Sequence, residues 1–178
     1  MKSNIIRIDN MGKGFHKAIA ETRKVCVYNE LDHRSALRLQ LCAEEQLSLA
    51  RSVTREMDAS FWIETEGPEY TLHMSTNTDI DKEKRSMLLK TASSGKNEAA
   101  NSFIGKLRDL FETAIDAEPN YNSDLPSDVL EDLANRTIQC SDAEWNGYEQ
   151  STLKRLADTI KISIIGNVVE VTVIKTFA

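Results

Sequence analysis

The C-terminal end of the chain carries the pattern that most narrows the possible folds. Apolar and polar residues alternate over Ile160–Ile164 and again over Val169–Val173, which is the period of a strand with one buried face. Gly166 and Asn167 separate the two runs, and such a pair is typical of a tight two-residue turn. The pattern predicts a β-hairpin that closes a larger sheet.

The rest of the sequence divides into helix-like and strand-like runs. The predicted elements are a strand over 3–8, a helix over 15–31, a helix capped by Asp32 or Ser35 that runs to Glu56, two strands on either side of Gly67-Pro68, and helices over 81–92 and 99–114. Strands and helices that occur in separate runs favour an α+β fold. We therefore expect a two-layer sandwich in which helices pack on one face of a mixed β-sheet.

Length and composition bound the class of protein. With 178 residues, of which 40% are apolar and 28% charged, the chain is expected to form one domain over residues 1–178. It has no apolar run of membrane-spanning length and no apolar core of a secretion signal near Met1. Three widely spaced cysteines are typical of buried thiols in the cytoplasm. The net charge of −6 argues against nucleic acid as the main partner.

The segment 116–150 stands out by its charge. It contains nine acidic residues and one arginine, so its net charge of −8 exceeds that of the whole chain. We interpret it as a solvated insertion in the domain, a loop with one short helix. An acidic surface that docks a partner is the alternative.

One flank of the second predicted helix carries a polar stripe beside its apolar side. At about 100° per residue, Glu44 and Ser48 project in the same direction, together with Gln40 and Arg51. A carboxylate and a hydroxyl in this arrangement form either a solvated helix face or the wall of a ligand cleft. The sequence leaves both interpretations open.

Two further segments are candidates for a ligand site. Ser93–Asn97 precedes the clearest predicted helix, where free backbone N–H groups and Lys96 favour an anion. A plain helix cap explains the same residues. Asp79 follows a predicted strand, and its carboxylate can accept a hydrogen bond from an amine or bind a metal, whereas Asp81 is expected to cap the next helix.

The order of elements and several residues resemble the GHKL ATPase superfamily, which includes the gyrase-type and histidine-kinase ATP-binding domains. The likeness is greatest to the small bacterial anti-sigma-factor serine kinases. In that family a helix with the motif Glu-x-x-x-Asn precedes an Asp-x-Gly-x-Gly box and a glycine-rich helix start. The matching positions are Glu44 for the general base, Ser48 for the magnesium-ligating asparagine, Asp79 for the adenine-binding aspartate, and Ser94, Gly95, Lys96 and Asn97 for the phosphate side.

The chain departs from the family at two of these motifs. Ser48 offers a hydroxyl where the family has an amide, which predicts a weak magnesium site. Asp81 and Glu83 stand where the box has glycines, and their charge disfavours a triphosphate. Lysines and an arginine within 82–96 supply positive charge in compensation.

The resemblance implies the histidine-kinase-like ATPase fold, ATP as the cofactor, and a kinase-like activity in which Glu44 polarises the attacking hydroxyl. It also implies a protein partner, either a sigma factor or an antagonist protein that the chain phosphorylates or sequesters, and it allows a homodimer. A second hypothesis is a degenerate, non-catalytic module of the same fold that acts through protein contacts. A third is a scaffold domain whose cleft holds no ligand.

Overall fold

The computed structural model describes residues 1–9, 13–53, 58–101 and 152–177. The elements are β1 (Ile6–Ile8), α1 (Lys13–Tyr28), α2 (His33–Val53), β2 (Ala59–Glu66), β3 (Glu69–Asn77), α3 (Lys82–Thr91), the 3₁₀ helix η1 (Glu98–Asn101), β4 (Thr159–Ile165) and β5 (Val168–Thr176). The predicted strands, the hairpin and the first three helices are confirmed. Most of the helix predicted over 99–114, and the whole segment 116–150, lie outside the described residues.

The strands form one sheet in the order β1-β2-β3-β5-β4. Each neighbouring pair is antiparallel, so the described sheet is antiparallel and not mixed as predicted. Gly67 and Gly166 lie in the two hairpin turns with positive φ angles, which glycine adopts without steric cost. Because β5 lies between β3 and β4, the C-terminal hairpin completes the sheet beside a strand formed much earlier in the chain.

One face of the sheet forms the core together with the helices. Alternate residues of each strand are buried there, as the period of two requires. Across the sheet the register places Phe61 beside Met74, Met74 beside Val171, and Val171 beside Ile162. The fold is therefore the predicted α+β sandwich with helices on one face. No helix in the described part of the chain has both the length and the apolar character that crossing a membrane requires.

A buried glutamine ties α2 to the two strands at the middle of the core. Gln46 is fully buried, and its Nε2 donates to the carbonyl oxygens of Leu72 in β3, at 3.2 Å, and Val171 in β5, at 2.8 Å. Its Oε1 atom has no hydrogen-bond partner within the described ranges. Because the Gln46 amide must face the carbonyl groups of Leu72 and Val171, the contact fixes the rotation of α2 about its axis.

The start of α1 lies against the backbone of β1. A Cβ atom at Gly14 would lie 2.3 Å from the carbonyl oxygen of Arg7 and 2.5 Å from the Cα atom of Ile8. Both distances are far inside van der Waals contact, so the approach requires glycine. Gly14 is therefore a packing requirement of the contact between α1 and β1.

Gly14→Ala is expected to destabilise the protein although alanine is the better helix former. The overlap with β1 should cost about 2–3 kcal/mol, which outweighs a gain in helix propensity of roughly 1 kcal/mol. Urea denaturation monitored by circular dichroism measures the change. Lys17→Ala, at an exposed position of the same helix, is the control and should shift stability by less than about 0.5 kcal/mol. A Gly14→Ala variant as stable as the parent would contradict the close approach.

The face of the sheet opposite the helices, which we call the open face, carries a stacked aromatic pair. The ring centroids of Trp62 and His73 are 4.8 Å apart, and the rings are nearly parallel. Glu64 accepts from Trp62 Nε1, pairs with Lys2 at 3.0 Å, and lies 3.6 Å from His73 Nε2. The pKa of His73 is lowered, mainly because burial disfavours the charged imidazolium. The positive charge of Lys2 lowers it further, whereas the carboxylates of Glu64 and Glu170 act in the opposite direction.

The lowered pKa of His73 predicts a loss of stability as the pH falls. Below about pH 6.5 the unfolded chain binds a proton on this histidine more readily than the folded chain does. The free energy of unfolding should therefore decrease as the pH falls from 7.5, and level off below the folded pKa. Urea midpoints at about pH 7.5 and 5.5 measure this difference.

His73→Gln should reduce that pH dependence, whatever it does to absolute stability. His33→Gln, which makes the same change at an exposed histidine at the start of α2, is the matched control for the substitution itself. A wild-type slope that persists in His73→Gln would show that other groups cause it.

Candidate functional site

An open cavity lies at the end of β3, where the chain continues towards α3. Its volume is about 790 Å³, within the roughly 300–1,000 Å³ that small-molecule sites occupy. We call it the β3-end cavity; its described lining consists of Asn77, Thr78, Asp79, Ile80, Asp81, Lys84 and Asn167. Of the residues that the sequence predicted to bind a ligand, Asp79 belongs to this described lining.

The turn between β4 and β5 completes the cavity. Thr78 N donates to the carbonyl oxygen of Asn167 at 2.8 Å, directly after the last β3–β5 pair, Asn77 opposite Val168. The Asn167 side chain donates from Nδ2 to Asp79 Oδ1 at 2.7 Å. This bond engages one of the two carboxylate oxygens of Asp79 and holds the group in the cavity wall.

Asp81 and Lys84 bring opposite charges to the same cavity. Asp81 is the N-cap of α3, as predicted, and its Oδ1 accepts from Lys84 N at 2.8 Å. With Asp79, the described lining combines two carboxylates, one ammonium group and the amides of Asn77 and Asn167. Such a set suits a ligand that offers hydrogen-bond donors and carries limited negative charge.

Glu44 and Ser48 lie elsewhere, on α2. Gln46 between them faces the sheet, and at about 100° per residue each of the two is about 200° away from it. Both therefore project away from the sheet; Glu44 is exposed and Ser48 is half-buried. Neither belongs to the described lining of the β3-end cavity. Within the described residues, the structure does not bring the predicted general base together with Asp79.

The segment 93–97, predicted to bind phosphate, is docked on the outer edge of β4. Ser93 N donates to the Ile160 carbonyl oxygen at 2.9 Å, and Ser93 Oγ accepts from Ile160 N at 2.8 Å. Asn97, which is 5% exposed, donates to the Ile164 carbonyl oxygen and accepts from Ile164 N, both at 2.9 Å. The segment thus satisfies backbone groups that an edge strand would otherwise leave unpaired.

Between these two anchors the chain makes an exposed turn through Ser94, Gly95 and Lys96. Gly95 has a φ of +64°, a backbone conformation that glycine adopts more readily than residues with a side chain. Its N–H donates to the carbonyl oxygen of Ala92 at 3.1 Å, and Lys96 N donates to Ser94 Oγ at 3.3 Å. These two N–H groups already donate hydrogen bonds within the chain, so they are not available to the predicted anion site.

The described cysteines offer no nucleophile. Cys26 and Cys42 are buried, and burial raises the pKa of each thiol to about 11. Both are therefore protonated at neutral pH and unreactive, in keeping with the buried thiols that the sequence predicted. The third cysteine, Cys140, lies outside the described residues.

A second open cavity, of about 710 Å³, lies on the open face of the sheet near His73 and Lys161. Its described lining contains none of the predicted site residues. The β3-end cavity is therefore the better candidate, because geometry and sequence agree there on Asp79.

The sequence pattern alone does not show how the neighbours of Asp79 assemble. Lys84 has a readable signal, since it follows the helix cap Asp81 by three residues and is one of the cations within 82–96. Asn167 had no local signal, because only the β3–β5 register brings its turn to the end of β3. Residues distant in sequence become neighbours through pairing that a local pattern does not encode.

Comparison with known proteins does not assign a family. No protein-family model matches the chain, and no curated protein matches it. The resemblance to GHKL ATPases therefore stands on the order of elements and on the residues at the motif positions.

Asn97→Ala is expected to destabilise the fold, because it leaves the buried N–H and carbonyl groups of Ile164 without partners. We expect the free energy of unfolding to fall by about 2 kcal/mol or more, measured by urea denaturation. Ser94→Ala removes an exposed hydroxyl of the same turn and should cost less than about 1 kcal/mol. An Asn97→Ala variant with unchanged stability but weakened nucleotide binding would favour the phosphate role instead.

Proposed function

We propose that the chain is a nucleotide-binding regulatory protein of the anti-sigma-factor kinase type, and that the β3-end cavity takes the adenine ring of ATP. The position of Asp79 supports this most directly. The residue that the GHKL resemblance assigns to adenine lies in the wall of a cavity of suitable size, with one carboxylate oxygen held by Asn167.

The hydrogen-bonding pattern of adenine suits this wall. Adenine presents an exocyclic amine as donor and ring nitrogens as acceptors. Asp79 can accept from the amine, and the side-chain amides of Asn77 and Asn167 can donate to the ring. Guanine presents a carbonyl oxygen where adenine has its amine, so a carboxylate placed to accept from the adenine amine meets an acceptor in guanine bound in the same orientation. We therefore expect adenine nucleotides to be preferred over guanine nucleotides.

Nucleotide binding, and not phosphoryl transfer, is the central part of this proposal. Glu44, the general base by resemblance, projects away from the sheet and lies outside the described lining of the cavity. A protein that binds ATP without turnover still regulates a partner if the nucleotide shifts the conformation that the partner recognises. In line with the resemblance, we propose a sigma factor or an antagonist protein as the partner, in the cytoplasm.

A second candidate function is a protein-interaction module that binds no nucleotide. It is favoured by apolar side chains exposed near the junction of α1 and α2, where Val27 is 78%, Tyr28 74% and Leu37 50% exposed. Grouped apolar side chains of this kind are common at protein interfaces. A thermal-shift measurement distinguishes the two candidate functions, because only the nucleotide-binding protein is expected to be stabilised against heat by ATP.

Calorimetric titration of the full chain with ATP, adenosine and GTP tests the proposal. We expect ATP and adenosine to bind, and GTP to bind more weakly. Asp79→Ala should lower the affinity for both adenine ligands by about tenfold or more, because it removes a charged hydrogen-bond acceptor.

Asn167→Ala is the matched control for this variant. It breaks the same Asn167–Asp79 hydrogen bond but keeps the carboxylate, so the loss of affinity should be smaller. Equal losses in the two variants would mean that the Asp79 carboxylate contributes no more to binding than the Asn167 amide does, which would contradict the role assigned to Asp79. If millimolar ATP and adenosine produce neither heat nor a thermal shift, the proposal is wrong and the interaction module is favoured.

A further inference from the structure

The magnesium position that the GHKL resemblance implies does not lie at the candidate site. Mg²⁺ requires near-octahedral coordination by oxygen atoms, usually one or two carboxylates together with phosphates and water. The position concerned, Ser48, projects away from the sheet and lies outside the described lining of the β3-end cavity. Among the described residues, no three His, Cys, Asp or Glu side chains form a group that could hold a metal ion. The residue that the resemblance assigns to magnesium therefore cannot place a counter-charge for the phosphates of a nucleotide in this cavity.

Lys84 is the cationic residue in the described lining of the cavity. Its backbone N–H is held by Asp81 Oδ1 at 2.8 Å, which fixes the first turn of α3 beside the cavity. The side chain is half-buried, and no ion pair joins it to another described residue. An ammonium group in the wall of a cavity can attract an anion that enters it.

We infer that Lys84 takes the place of magnesium as the counter-charge of the nucleotide phosphates, so that binding at this site is independent of magnesium. This inference rests on the proposed function, since it requires the adenine ring to lie against Asp79. Lys84 and Asp79 line one cavity, so a ligand can contact the Asp79 carboxylate with its base and the ammonium group with its phosphates. Asp81 lines the same cavity, and its carboxylate limits the phosphate charge that one ammonium group can offset. Lys84 is then the residue that distinguishes a nucleotide from its nucleoside.

Titration calorimetry of the full chain with ADP and adenosine, each in EDTA and in excess magnesium chloride, tests the inference. We expect the affinity for ADP to differ by less than about twofold between the two conditions. Lys84→Gln should lower the ADP affinity by about tenfold, as expected for the loss of one charge-assisted contact. The same variant should keep its adenosine affinity, which also shows that it is folded. Lys84→Arg, which keeps the charge, should retain most of the ADP affinity.

Lys82→Gln is the matched control. Lys82 is an exposed residue of the same helical turn and does not belong to the described lining. The substitution removes the same charge from the chain, but the distance and the solvent screening should keep the change in ADP affinity below about twofold.

The outcomes separate the inference from the function on which it rests. Binding of ADP only in magnesium, or equal losses in Lys84→Gln and Lys82→Gln, would overturn the inference while adenosine binding still supports the proposed function. If neither adenosine nor ADP binds under any condition, the proposed function is wrong and the inference falls with it.

Discussion

The pairing of β3 with β5 is the contact on which both the core and the candidate site depend. Its register runs without interruption from Glu69 opposite Thr176 to Asn77 opposite Val168. On one face, this pairing aligns the buried residues of the two hairpins into a continuous apolar surface that α2 covers. At its end, the same register carries Asn167 onto Thr78 and Asp79. The entropic cost of closing so long a loop grows only slowly with its length, so burial of the apolar face can offset it. A shift of the register by one residue would expose that face and also separate Asn167 from Asp79.

Local patterns were sufficient to predict most of the elements but not the form of the sheet. The alternation over 160–173, the turn glycines and the Asp81 cap are properties of neighbouring residues, and the structure confirms each of them. The direction of β5 relative to β3 has no such signal, because the two strands are distant in sequence and pair only in the assembled sheet. The predicted mixed sheet was therefore wrong in the one respect that no local pattern could determine.

The candidate site shows the same division between local and long-range information. Helical spacing correctly implied that Glu44 and Ser48 project together, but their direction depends on Gln46, which faces the sheet. A polar residue is a poor signal of burial; here the cost of burying the amide is met in part by two backbone carbonyl groups. Asn97 was predicted to face phosphate for a similar reason. Its burial follows from the unpaired edge of β4, which only the assembled sheet creates.

The distribution of charge around Asp79 bears on how such a protein would act. Phosphoryl transfer depends on positioning and on strong neutralisation of the phosphates. The described wall of the β3-end cavity instead sets two carboxylates against one ammonium group, which favours recognition of a base over stabilisation of a highly charged transition state. If the site binds a nucleotide as proposed, it would respond to the concentration of its ligand, because occupancy would change without consumption of the nucleotide. Regulation of the proposed partner would then be reversible on the timescale of nucleotide release, and that partner would sense which ligand is bound, not how many turnovers have occurred.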